Sequence, residues 1–338
     1  MLKLPLKLLY PIFCIKFVCS SMDCSAITTD NKLTDCYLEQ LKISDENTKV
    51  IEIKEICKKK VAGNVPQMTP FDKRLLREKE TRNNPSVITP HRLNYMLPIS
   101  YMTNPNAELG NLLLDQDGEL DNLEAKFQIS FKAPISEHLF NQNDAVFFAF
   151  TIQSYWQLYN TDISSPFRET NYQPEVLYWY ENDYSIGDWT NKVIMVGLQH
   201  QSNGRSELLS RSWNRIFANF VWEKENWVLS FNPWYRIPEG KKQDPLQARG
   251  DDNPDIEKFM GNFEFRSIYK WEEQTFSLMF RNNLRSDNKG AIELGWTFPM
   301  GRRFKGYAQF FSGYGESLID YNKNVNRIGI GILLTDYF

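Results

Sequence analysis

From Arg92 to Phe338 the chain alternates between apolar and polar residues. Leu123, Ala125, Phe127, Ile129 and Phe131 take one set of positions, and Glu124, Lys126, Gln128 and Ser130 take the other. A period of two makes a strand with one apolar and one polar face. Comparable stretches run over 92–102, 144–158, 169–180, 190–202, 212–223, 226–236, 259–271, 273–284, 290–299, 303–313 and 326–338. With 123–131 they predict twelve strands, an even number of the kind that closes a bacterial outer-membrane barrel. Many have the length of about ten residues that a tilted strand needs to cross the hydrocarbon layer. The expected fold is all-β, a twelve-stranded antiparallel transmembrane β-barrel over 91–338.

A soluble sandwich or lipocalin-like barrel is the competing fold, and three features oppose it. The face that would form a soluble core carries Glu124, Lys126, Arg266 and Lys305. Trp156, Trp222, Trp227 and Trp234 fall near strand ends, as aromatic girdles do. The last strand carries a terminal aromatic, Phe338, resembling the signal read by the barrel-insertion machinery of Gram-negative bacteria.

Upstream the alternation is absent. Lys3 and Lys7 precede the apolar run Leu8–Ile15, and Ser20 and Ser21 follow, so 1–22 reads as a secretory signal peptide cut between Ser21 and Ala26. Residues 23–90 read as a polar periplasmic extension. "LEQLKISDENTKVIEIKEICKKK" has the makings of an amphipathic helix, and "PFDKRLLREKETRNNPS" reads as a linker. All five Cys precede residue 58, and none has a zinc-ligand spacing. Cys14 and Cys19 leave with the signal peptide. Cys24 and Cys36 resemble the disulfide-linked pair of some periplasmic and outer-membrane proteins, while a later cut leaves Cys36 with Cys57. Net charge is −3, which argues against a nucleic-acid partner.

The segment Gly197-Leu-Gln-His-Gln-Ser-Asn-Gly-Arg-Ser206 raises a question of faces. Ile194, Val196 and Leu198 share parity with His200 and Ser202, so these two point outward, at one end of the lipid-facing band. On the next strand, Ile216, Ala218 and Phe220 share parity with Asn214. A short loop makes the two strands hairpin neighbours, with Asn214 beside His200. A serine nucleophile needs a base, and the base needs a partner that fixes its tautomer. Ser202–His200–Asn214 fits that logic on a wall that meets lipid. Ser and Asn are also ordinary turn residues, and the shared parity is what favours chemistry.

The stretches His200–Ser206 and Ser210–Arg215 resemble the signature of the outer-membrane phospholipase A family. Further matching blocks are Ser164–Tyr172, Asp251–Ile256 and Ser312–Asn322. The resemblance spans about 92–338. It implies a calcium-dependent enzyme with phospholipase A1, phospholipase A2 and lysophospholipase activity, active as a homodimer on membrane phospholipid. Carried onto this sequence, it implies Ser202 as nucleophile, His200 as base, Asn214 as orienting amide and the Gly204 amide as oxyanion donor. It implies calcium at the Arg205 carbonyl and Ser210 hydroxyl with Ser164 of the partner subunit, and a second calcium position at Asp252. The family's polar Gln on the dimer face is replaced here by Ile152, with Gln153 on the opposite parity. The alternative function is a non-catalytic barrel, a porin or a lipid-binding protein.

Overall fold

The computed structural model describes residues 68–338 apart from 107–108, 110–118, 163, 245, 248 and 302–303. The signal peptide, every Cys and most of the polar extension lie outside the described residues. The alternating stretches form twelve strands: β1 (Asn94–Thr103), β2 (Leu123–Glu137), β3 (Asp144–Trp156), β4 (Phe167–Ile186), β5 (Trp189–Ser202), β6 (Ser212–Lys224), β7 (Trp227–Ile237), β8 (Phe263–Trp271), β9 (Gln274–Asn282), β10 (Gly290–Met300), β11 (Phe304–Gly313) and β12 (Val325–Thr335). Each pairs antiparallel with its chain neighbours, and β1 closes on β12, with Tyr101 opposite Ile328. Closure leaves no free edge to satisfy.

The two faces sort as the alternation predicts. On β2, Glu124, Lys126, Ser130 and Lys132 are buried in the lumen, while Ile129 is half exposed on the outer wall. Val196, Leu198, Ile216, Leu294, Ile328 and Ile330 continue that exposed apolar wall. One rim is made of tight turns, such as Gly187–Asp188 and Glu225–Asn226. The other carries the longer connections 104–122, 157–166, 203–211, 238–262 and 314–324. In barrels of this type short turns face the periplasm and long loops face outward.

The lumen is filled with paired charge. Glu124 takes a two-pronged contact from Arg168, Nε to Oε2 and Nη2 to Oε1, both 3.0 Å, and a 2.7 Å contact from Arg327 Nη2. Glu316, from the β11–β12 loop folded into the barrel, accepts from Lys126 Nζ at 3.0 Å and Arg327 Nε at 2.7 Å. Arg168 also pairs with Asp320 of that loop. The Tyr155 ring lies beneath Arg168, Arg327 and Lys126, 4.8 to 5.4 Å from their cationic ends. A cavity of about 300 Å³ remains in the lumen, lined by Arg92, Glu175, Arg215 and Arg281 among others.

Three local expectations are revised. The stretch read as a linker contains α1 (Pro70–Thr81), which lies in the short-turn mouth of the lumen. Thr69 caps it by accepting from the Asp72 amide at 3.0 Å, with Pro70 opening the first turn. Phe71 and Leu75 pack among Phe147, Trp179 and Val193, while Glu78 pairs with Lys132 at 2.7 Å. Trp234 is not a girdle residue. It faces the lumen, edge-on to Trp213 at 6.2 Å, because Trp234 and Arg236 share inward parity. The last strand stops at Thr335. Beyond it Tyr337 turns inward, where its hydroxyl accepts from Arg266 Nη1 at 3.1 Å and its carbonyl from Arg74 at 2.8 Å.

Candidate active site

The outward positions at the long-loop rim of β5 and β6 build the site. Gln199 and Met195 point into the lumen, so Leu198, His200 and Ser202 must point out, and Leu198 is 57 % exposed. On β6 the inward residues are Trp213, Arg215 and Phe217, which turns Asn214 outward. Inside, the Arg215 guanidinium rests on the Trp213 ring at 3.8 Å, holding that face of β6 to the lumen. The register places His200 directly opposite Asn214 and Ser202 opposite Ser212. Asn214 Oδ1 lies 2.8 Å from His200 Nδ1. If Nδ1 carries the proton, Nε2 is left as the basic nitrogen, the tautomer that a general base requires. The Ser202 hydroxyl has no hydrogen-bond partner among the described residues.

The turn after Ser202 is held from within. Asn203 is buried, its amide donates to the Leu209 carbonyl at 2.8 Å, and its Oδ1 accepts from the Arg211 amide at 3.0 Å. Gly204 follows in the left-handed region at φ 66°, and a side chain there would press on the Tyr172 ring at 3.2 Å. Arg205 donates from Nη2 to the Phe167 and Arg168 carbonyls, at 3.1 and 2.7 Å, which ties the turn to β4. Beyond a short 3-10 turn, Glu207–Leu209, the Ser210 hydroxyl donates to Asp252 Oδ2 at 2.8 Å. Ser212 donates to the same oxygen at 3.2 Å, and Lys242 pairs with Asp252 Oδ1.

An open cleft of about 420 Å³ collects these groups: His200, Ser202, Gly204, Arg205, Ser210 and Asp252 all line it. Ser164 does not. It sits exposed in the β3–β4 loop with φ 58°. None of the triad residues lines the lumenal cavity, so the candidate chemistry belongs to the outer wall alone. Among the described residues no three His, Cys, Asp or Glu gather around a metal position. The oxygens that do gather, the Ser210 and Ser212 hydroxyls and the Asp252 carboxylate, are of the type a hard cation such as calcium takes, and here the Lys242 ammonium occupies the Asp252 carboxylate. Ile152 faces outward opposite Tyr172, and Gln153 faces inward toward the Tyr95 hydroxyl at 3.2 Å.

Sequence reasoning missed Glu239, Lys242 and Arg249. All three lie in the β7–β8 connection, and Glu239 and Arg249 line the cleft. Glu239 lies past the end of β7, so parity reaches it only once the strand register is known. Tyr235 and Ile237 point outward on β7, and Ile237 is the register partner of Asn214, so the next outward position is 239.

The family profile described as Phospholipase A1 matches residues 71–334. Phospholipase A1 of Klebsiella pneumoniae is 36% identical over 260 residues, 77% of this chain and 86% of that protein. Phospholipase A1 of Escherichia coli strain K12 is 35% identical over 259 residues, 77% of this chain and 85% of that protein. Among solved structures, outer membrane phospholipase A of Escherichia coli superposes with a TM-score of 0.69 at 36% identity, covering 76% of this chain and 95% of that one. The calcium-bound dimer of the Salmonella typhi outer membrane phospholipase gives the same TM-score, 0.69, at 36% identity and the same coverage.

Proposed function

The chain belongs to the phospholipase A1 family, and from that premise we propose that it hydrolyses phospholipid acyl esters on the outer wall of its barrel through Ser202, His200 and Asn214. It is a phospholipase of the bacterial outer membrane. The observation that carries the residue assignment is the 2.8 Å contact between His200 Nδ1 and Asn214 Oδ1 on the same outward face as Ser202.

With Asn214 accepting from Nδ1–H, His200 Nε2 takes the proton of Ser202 Oγ as the oxygen bonds to the acyl carbonyl carbon. The tetrahedral adduct collapses, the ester C–O bond breaks, and His200 returns its proton to the departing lysophospholipid oxygen. Water, deprotonated by His200, then attacks the acyl-Ser202 ester and releases the fatty acid and the free hydroxyl. The Gly204 amide donates to the developing oxyanion, which a residue lacking a side chain lets approach closely. The Arg205 carbonyl, the Ser210 hydroxyl and Ser164 of the partner subunit would hold a calcium ion, which would supply positive charge to stabilise that oxyanion. Asp252 is the candidate for a second calcium position. A second copy against this wall turns a surface cleft into a channel for an acyl chain, since Ser202 alone has only lipid beside it.

The deciding assay is hydrolysis of phosphatidylcholine by the full chain in detergent, first with calcium and then with chelator. Turnover should stop on chelation, while heat-modifiable gel migration, the sign of a closed barrel, persists. Turnover that survives thorough chelation removes calcium from the mechanism. A non-catalytic barrel would neither turn over nor react with a sulfonyl fluoride at Ser202.

A further inference from the structure

Asn214 has a second partner. Its Nδ2 donates to Glu239 Oε1 at 3.0 Å, while its Oδ1 faces His200 Nδ1 at 2.8 Å. One amide therefore stands between an imidazole and a carboxylate. An asparagine amide is two-faced, and rotation by half a turn would exchange its oxygen and nitrogen. The rotated form would aim N–H at the protonated Nδ1 and its oxygen at a carboxylate, two unfavourable contacts. A carboxylate only accepts, so Glu239 permits one of the two orientations, the one in which the oxygen serves His200.

Glu239 is held in place to do this. The Asp251 amide donates to the Gly240 carbonyl at 2.8 Å, and the Lys241 and Asp251 backbones pair as an isolated parallel β-bridge beside it. Arg236, the inward residue near the end of β7, reaches Asp251 Oδ1 at 2.5 Å. The loop that carries Glu239 is thus fastened to the barrel at its base. Glu239 is also the outward residue following Ile237, the partner of Asn214 in the β6–β7 register. Two neighbouring strands and the connection that follows β7 therefore contribute one group each, His200, Asn214 and Glu239.

We propose that Glu239 is a positioning residue of this site, which fixes the Asn214 amide so that its oxygen orients His200. The inference rests on the triad reading above and extends it by one residue.

The test measures kcat and KM on phosphatidylcholine mixed micelles with saturating calcium, for Glu239→Ala, Glu239→Gln, Asn214→Ala and the double variant Asn214→Ala/Glu239→Ala. Loss of one such hydrogen bond should lower kcat about tenfold in Glu239→Ala with KM unchanged. Glu239→Gln, which can still present an oxygen to Asn214 Nδ2, should recover most of that loss. The double variant should be no slower than Asn214→Ala, because Glu239 acts only through that amide. Wild-type kcat in Glu239→Ala, no recovery in Glu239→Gln, or additive losses in the double variant would each overturn the proposal. Failure of the triad itself looks different: Asn214→Ala and His200→Ala would then turn over at the wild-type rate.

Discussion

Glu124 inside the barrel accepts from four side-chain nitrogens of Arg168, Arg327 and Gln157, and its own exposure is 0%. On the outer wall, Ser202 has no partner among the described residues, and His200 has one. Both regions place polar groups where an average sheet would place apolar ones. They differ in how completely those groups are satisfied. A buried charge is tolerated only when paired, so the lumenal network is committed to holding the fold. A nucleophile and its base must keep unused hydrogen-bonding capacity, which is affordable only at a rim where water or substrate can supply the rest. The comparison assigns stability to the inside and chemistry to the outside, and it predicts that the two can be damaged separately.

The largest effect should come from the outer wall. Ser202→Ala or His200→Ala should cut hydrolysis at least about a thousandfold, since the members of such a set act as a unit. Neither change should move the urea midpoint by more than about 0.5 kcal/mol in stability, because neither group carries packing. Joint loss of activity and of barrel migration would mean that the outer set is structural after all.

Arg168→Ala is the mirror experiment. It leaves Glu124 with only Arg327 and Gln157, and leaves Asp320 without its cation in the same buried space. Breaking a buried pair from one side costs about 3–5 kcal/mol. Urea unfolding of the protein refolded into vesicles should show that loss, with hydrolysis per folded molecule retained. A loss below about 1 kcal/mol would mean that lumenal water replaces the guanidinium, and the contrast between inside and outside would fail.

The same contrast explains what could be read in advance. Alternation exposes parity, and parity alone places His200, Ser202 and Asn214 outside and Lys126 and Glu124 inside. It fails where the strand period ends. Glu239 lies two residues past β7, beyond Pro238, so its outward position is visible only once the register Asn214–Ile237 is known. Trp234 sits close to a strand end, but its parity with Arg236 decides its face, and proximity to the end misleads. The helix α1 looked like a linker because it lacks a continuous apolar stripe. Its polar residues find partners inside a polar lumen, through Arg74, Glu78 and Lys79, and no sequence pattern announces a partner so distant.

The smallest expected effect concerns that helix and tests whether the lumenal rule extends to it. Burial by itself would raise the Glu78 carboxyl, but Lys132 and Arg74 outweigh it and hold the group down to about 2. A carboxylate depressed in the folded state stabilises it above the unfolded pKa, near the ordinary value of 4.5, and the contribution is lost as pH falls toward about 2. At about 1.4 kcal/mol per unit, the ceiling is about 3 kcal/mol, and sharing the cost with Lys132 will lower it. Glu78→Gln cannot titrate, so the stability difference between wild type and this variant should be constant above pH 5 and shrink between about pH 4.5 and 2. Urea midpoints across that range measure it. The shrinkage should diminish when Lys132→Met is added to both proteins, because the main cation facing Glu78 is then gone and only Arg74 remains. A difference that stays flat with pH would mean that α1 is held in the barrel mouth by Phe71 and Leu75 alone, and that paired charge is a property of the strands rather than of everything inside them.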